Sequence, residues 1–161
     1  MTNYWIFKVQ EEVGGLYRRT GMDIFIHRIK ECFWGIREYD KSGKLNSKVA
    51  LPKEGDFVLF YLVGKEEGGS FVGTAVLDSG YVRLDDEQAK RVVHGEFVDC
   101  NQGFLLRQTD KWAKPLPVEN LRGKGGFTST GNFGSFFQGN IKRIKRSQDY
   151  ETIVEEHELM R

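Results

Sequence analysis

The residues with the most chemical potential in this chain are aromatic and cationic. Trp34 stands directly before Gly35 in "ECFWGIREYD", and Phe133, Phe136 and Phe137 are spaced through a glycine-rich stretch. From Arg122 to Arg146 there are six basic residues and no acidic ones, whereas Asp149 to Glu158 carries five acids. Flat π faces, a slim glycine backbone and nearby cations together make the chemistry of base binding: rings stack, backbone atoms meet the base edge, and Lys or Arg meets phosphate. Each piece has a plainer reading. Trp34 either plugs the end of a helix or lines a pocket, the basic stretch is either a phosphate contact or a solvated face, and Trp5, Phe60 and Trp112 read as packing residues.

Catalytic templates find no match. There is no GxxxxGK[ST] and no GxSxG, and GKGGFTSTG has its glycines and lysine in the wrong order for a phosphate loop. His27, His94 and His157 lie singly on helical segments, Cys32 falls at an apolar helix end where burial is expected, and Asp85 with Asp86 reads as a helix start. Two cysteines and three scattered histidines offer neither a disulfide framework nor a zinc ligand set, so no metal or cofactor is expected. The expectation is a non-catalytic protein.

These residues must be positioned by a chain of 161 residues, a length that fits one domain spanning 1–161. A hydrophobic content of 39 % with only three prolines suits a globular fold and does not suggest a disordered chain. No apolar run nears the roughly 18 residues of a membrane span, and the first residues lack the layout of a signal peptide, so a cytoplasmic protein with no membrane contact is expected. NYWIFKV (3–9) reads as a strand, and Gly14–Gly15 as a turn. Met22, Phe25, Ile26, Ile29 and Phe33 recur at helical intervals, with Gly35 placed to stop that helix. FVLFYLV (57–63) and SFVGTAVLD (70–78) read as a central strand and its hairpin partner, with Gly73 permitting a bulge. A short helix lies within 84–95, a strand in GFLLRQTDKW (103–112) before Pro115 and Pro117, a glycine- and phenylalanine-rich loop follows, and Ser147 is placed to cap a terminal helix. The order β-α-β-β-α-β-loop-α predicts an α+β domain around a curved, largely antiparallel sheet or small barrel flanked by helices.

In sequence order, NYWIFKV, FWGIREY, LPKEGDFVLFYLVG, SFVGTAVLDSGY, KPLPVENL and FFQGNIKRIKRSQDYETI resemble the EVE domains and the related YTH domains of the PUA-like superfamily, across nearly the whole chain. The resemblance implies a curved mixed sheet and a non-catalytic reader of a modified base. Carried over by position, it makes Trp34 the first wall of an aromatic cage, Gly35 and Ile36 the backbone contacts to the base edge, and Lys8, Val9 and Gln10 the border of the pocket. Val9 departs from the serine of the YTH pattern. Tyr81 stands nearest to the place of the second wall, with Phe97 as fallback. Lys124, Gln138, Asn140, Lys142 and Arg143 are the candidates for holding the backbone. The base implied is N6-methyladenine, with 5-methylcytosine second, in single-stranded or flipped form. Such domains also occur fused to a motor NTPase in restriction systems of the McrBC type. The alternatives are a PUA-like RNA-binding module indifferent to methylation, and a small-molecule binder or enzyme using the same pocket.

Overall fold

The computed structural model describes residues 2–10, 12–14, 17–37, 39, 43–64, 69–92, 101–124 and 140–161. Its first strand, β1 (Tyr4–Val9), is followed by a small separate hairpin of β2 (Glu12–Gly14) and β3 (Tyr17–Arg19), where sequence patterning gives only a turn. Helix α1 (Gly21–Glu31) leads into β4 (Phe33–Gly35), then β5 (Phe57–Leu62) and β6 (Ser70–Leu77). Next come β7 (Val82–Arg83), α2 (Asp86–Val92), β8 (Gln102–Pro117), β9 (Ile141–Ile144) and α3 (Ser147–Leu159). The main sheet runs β4-β8-β6-β5-β1-β9, with β7 also on β8. β1 pairs parallel with β5, and the other pairings are antiparallel, so the sheet is mixed.

Both faces of this sheet are buried, and alternation along each strand decides which face a residue serves. Trp5, Phe7 and Val9 join Val58, Phe60 and Phe104 against Ile24 and Phe25 of α1. Ile6 and Leu59 join Phe71, Trp112, Leu116 and Ile144 against Ile153 of α3. The curl is made where the register slips, between Phe60 and Tyr61 and on either side of Gly73. A Cβ at Gly73 would run into the carbonyl oxygen of Asp110, so the bulge expected there needs glycine.

Helix ends follow local chemistry. Asp85 and Gln88 cap α2 reciprocally, each side chain accepting from the other's backbone N–H (2.8 and 3.2 Å). Ser147 is the first residue of α3 and not its cap, since Arg146 holds that position without a side-chain hydrogen bond. Asp56 is the one buried acid on the turn before β5. Its carboxylate accepts from the N–H of Asn3 (3.0 Å), the N–H of Lys53 (2.9 Å) and Nε1 of Trp5 (2.9 Å).

Candidate functional site

The site expected at Trp34 begins with how α1 ends. Thr20 Oγ1 accepts from the N–H of Asp23 (3.1 Å) to start the helix. The helix stops at Glu31, four residues before Gly35, because Cys32 turns left-handed (φ 55°, ψ 36°). That turn leaves Cys32 at the surface, not buried as its apolar neighbours imply. The chain then reverses into β4, and Trp34 is thrown inward. Its indole is 0 % exposed, stacked on Phe60 (centroids 4.6 Å, 28°) with Phe7 at 6.2 Å and Phe25 at 6.4 Å. The guanidinium carbon of Arg28 lies over the ring, 4.8 Å from its centroid. Trp34 is therefore a core residue here, and the expectation of an open cage wall is corrected.

The backbone contacts are redistributed as well. Pairing of β4 with β8 sets Trp34 opposite Phe104 and Gly35 opposite Gly103. A Cβ at Gly103 would run into the Trp34 carbonyl oxygen, so this close approach depends on a bare glycine. Ile36 donates its N–H to Gln102 O (2.9 Å), and its carbonyl accepts the Tyr81 hydroxyl (2.6 Å). Both polar groups of Ile36 are thus committed, and its role at a base edge is corrected. Gly35, one residue earlier in an antiparallel ladder, points its N–H and C=O away from β8. Among the described residues β4 ends the sheet, so these groups face outward from its edge.

Tyr81 is half-buried, its ring 5.6 Å from Phe104, which packs 5.3 Å from Phe7, which in turn meets Trp34. Tyr81 and Trp34 are joined through two intervening phenylalanines and do not form facing walls. Val9 is 3 % exposed and packs in the core with Phe7 and Ile24.

No protein-family model matches the sequence, and no curated protein matches it. Among solved structures, human THYN1 in complex with 5-methylcytosine-containing DNA superposes with a TM-score of 0.58 at 13 % identity, over 96 % of this chain and 98 % of that one. ASCH from Zymomonas mobilis gives 0.51 at 14 %, over 95 % and 94 %. The N-terminal domain of Staphylothermus marinus McrB gives 0.50 at 14 %, over 96 % and 94 %. The chain shares the fold of these three proteins, a curved mixed sheet flanked by helices, which is the architecture that the resemblance to EVE and YTH domains implies.

On this mixed sheet the candidate phosphate contacts fall on two sides. Lys8 donates its N–H to Asn140 O (3.0 Å), and Lys142 sits opposite Ile6, so Lys8, Asn140 and Lys142 share the face covered by α3. Trp34 serves the other face. Arg143, opposite Trp5, donates to Asn3 Oδ1 (3.1 Å), and Lys124 pairs with Glu156 (2.6 Å). Lys8, Asn140 and Lys142 therefore do not share the Trp34 side of the sheet, whereas Arg143, paired with Trp5, does. Gln10 is exposed beside the start of α1, while Phe97, Gln138 and the phenylalanines from 127 to 137 lie outside the described residues. Arg28 is the residue that sequence reasoning missed. Its signal was available: it lies three and four residues after Phe25 and Ile24, on the helix face that packs inward. Among the described residues, no group of three or more His, Cys, Asp or Glu is placed to hold a metal ion.

Proposed function

We propose that this chain is a non-catalytic nucleic-acid-binding module that holds one single-stranded or extrahelical base at the free edge of β4, in the place taken by the Arg28 guanidinium. The observation that carries this reading is the flat cation lying 4.8 Å over the Trp34 indole. A guanidinium and a nucleobase are both planar and both stack on indoles, so one can exchange for the other without disturbing the Phe60 side of the ring. Gly35 offers a backbone donor and acceptor beside that position, and the displaced Arg28 is long enough to meet a flanking phosphate. The fold shared with human THYN1, a protein seen with 5-methylcytosine-containing DNA, supports nucleic acid as the ligand class. The likeness to the McrB N-terminal domain supports a fused or associated motor NTPase as partner.

The finer reading is a methylated base, 5-methylcytosine or N6-methyladenine. A methyl group adds about 0.8 kcal/mol when buried, so the preference over the unmodified base is below about tenfold. Fluorescence anisotropy tests this with matched strands carrying 5-methylcytosine, N6-methyladenine, the unmodified base or an abasic position. The base-bearing strands should bind more tightly than the abasic one, and Arg28→Ala, which uncovers the indole face, should widen that gap. Equal affinity for all four strands in both proteins sinks the base site. A second reading rests on Lys8 and Lys142 sharing one face: a phosphate track, indifferent to base or methylation. Its signature is binding that falls steeply with salt and is lost in a Lys8→Gln, Lys142→Gln double variant.

A further inference from the structure

On the α3 side of the sheet, away from Trp34, β8 and the last turn of α3 enclose a cavity of about 300 Å³. Its wall includes Trp112 and His157, whose rings lie parallel at 3.8 Å and 8°. The two residues are 4 % and 6 % exposed. Neither the indole N–H nor the imidazole makes a hydrogen bond to any described residue, and Glu158 Oε1 stands 3.9 Å from His157 Nδ1. Buried polar groups without partners are rare in native folds, and two of them lining one cavity mark a place where something else supplies the acceptor.

The charges around the cavity point to what that is. Arg161 is committed to Glu158 (3.1 Å). Lys111 and Lys114 also line the cavity, are exposed and make no ion pair among the described residues, and the remaining acid there is Asp110. Burial holds the His157 imidazole below its usual pKa, against the pull of Glu158 and Asp110 and with the help of Arg161. At neutral pH it therefore presents one N–H. Met160 and Ala113 complete an apolar side. The cavity thus combines an aromatic and thioether surface, two neutral donors and two lysines, in a volume at the small end of ligand pockets.

We infer that this cavity binds an aromatic phosphate of mononucleotide size, with the ring against Trp112, His157 and Met160 and the phosphate between Lys111 and Lys114. The same chemistry is presented by a free nucleoside monophosphate and by one nucleotide of a bound strand. The inference is independent of the reading at Arg28, because the two places lie on opposite faces of the sheet.

The test follows the Trp112 indole and His157 imidazole resonances of the 15N-labelled protein, with Trp112→Phe assigning the indole. AMP, CMP, inorganic phosphate and a short unmodified single strand are titrated separately into wild type, the Lys111→Gln, Lys114→Gln double variant and Arg28→Ala. Saturable shifts with AMP or CMP, weakened about tenfold or more in the double variant and unchanged in Arg28→Ala, support a free nucleotide. Shifts with the strand alone, and the same loss in the double variant, support a nucleotide within nucleic acid. No shift with any of the probes, shifts with inorganic phosphate equal to those with nucleotide, or shifts indifferent to the two lysines overturn the inference. Failure of the Arg28 reading leaves these titrations as they are.

Discussion

Trp34→Ala should lower the unfolding free energy by about 3–5 kcal/mol, the range for deleting a large aromatic from a packed core. The indole is 0 % exposed and stacks on Phe60, with Phe7 and Phe25 close by and Arg28 over its outer face. Removing it leaves a void that β4 can fill only by giving up its pairing with β8 through Phe104 and Gly103. A small domain holds only about 5–15 kcal/mol in reserve, so this one change consumes a large part of it. Urea titration followed by far-UV circular dichroism measures the loss. A shift below about 1 kcal/mol would mean that the ring is not the packing centre described here. One consequence bears on function: lost nucleic-acid binding in Trp34→Ala is no evidence for stacking on a base. Arg28→Ala is the cleaner probe, because it exposes the outer face of the indole and leaves its contact with Phe60 in place.

Much of the frame was legible in the sequence, because long elements carry their period. Helix α1 announces itself through Met22, Phe25 and Ile29, and β5 and β6 through apolar runs broken by Gly73. What escaped is short or depends on register. β4 spans three residues, too few for a period to show, and Phe33 continues the helical spacing of α1, which hides the break at Cys32. The hairpin of β2 and β3 is concealed by its glycines, and β9 by the charges of an edge strand.

The candidate site suffered from the same limit. Side chains alternate across a strand, so whether Lys142 stands beside Trp34 or behind it is decided by its pairing with Ile6, which no local pattern encodes. The commitment of Ile36 to Gln102 and Tyr81 is likewise a tertiary fact, spanning 45 residues in the case of Tyr81. Tryptophan before glycine singles out β4, but it does not say that the ring turns into the core with Arg28 over its outer face.

Asp56→Asn should destabilise the fold nearly as much as Asp56→Ala, each by about 3 kcal/mol or more, on the scale of leaving buried polar groups unpaired. The carboxylate is 2 % exposed, and all three of its partners are donors: Asn3 N–H, Lys53 N–H and Trp5 Nε1. Two oxygens meet three donors without conflict. An amide keeps one oxygen and turns an NH2 toward either Asn3, if the oxygen stays with Trp5 and Lys53, or toward both Trp5 and Lys53 if it flips. Either orientation sets donor against donor in a site closed to water. Alanine orphans all three but adds no repulsion. The contacts also tie the beginning of β1 to the turn before β5, where Phe57 N–H bonds Asn3 O (3.0 Å) and Leu77 N–H bonds Asp56 O (2.9 Å). The loss should therefore surface as faster amide exchange at Trp5, Phe57 and Leu77 before global unfolding. If Asp56→Asn unfolds within about 1 kcal/mol of wild type by urea titration, the buried carboxylate is not the acceptor that holds these strand ends together.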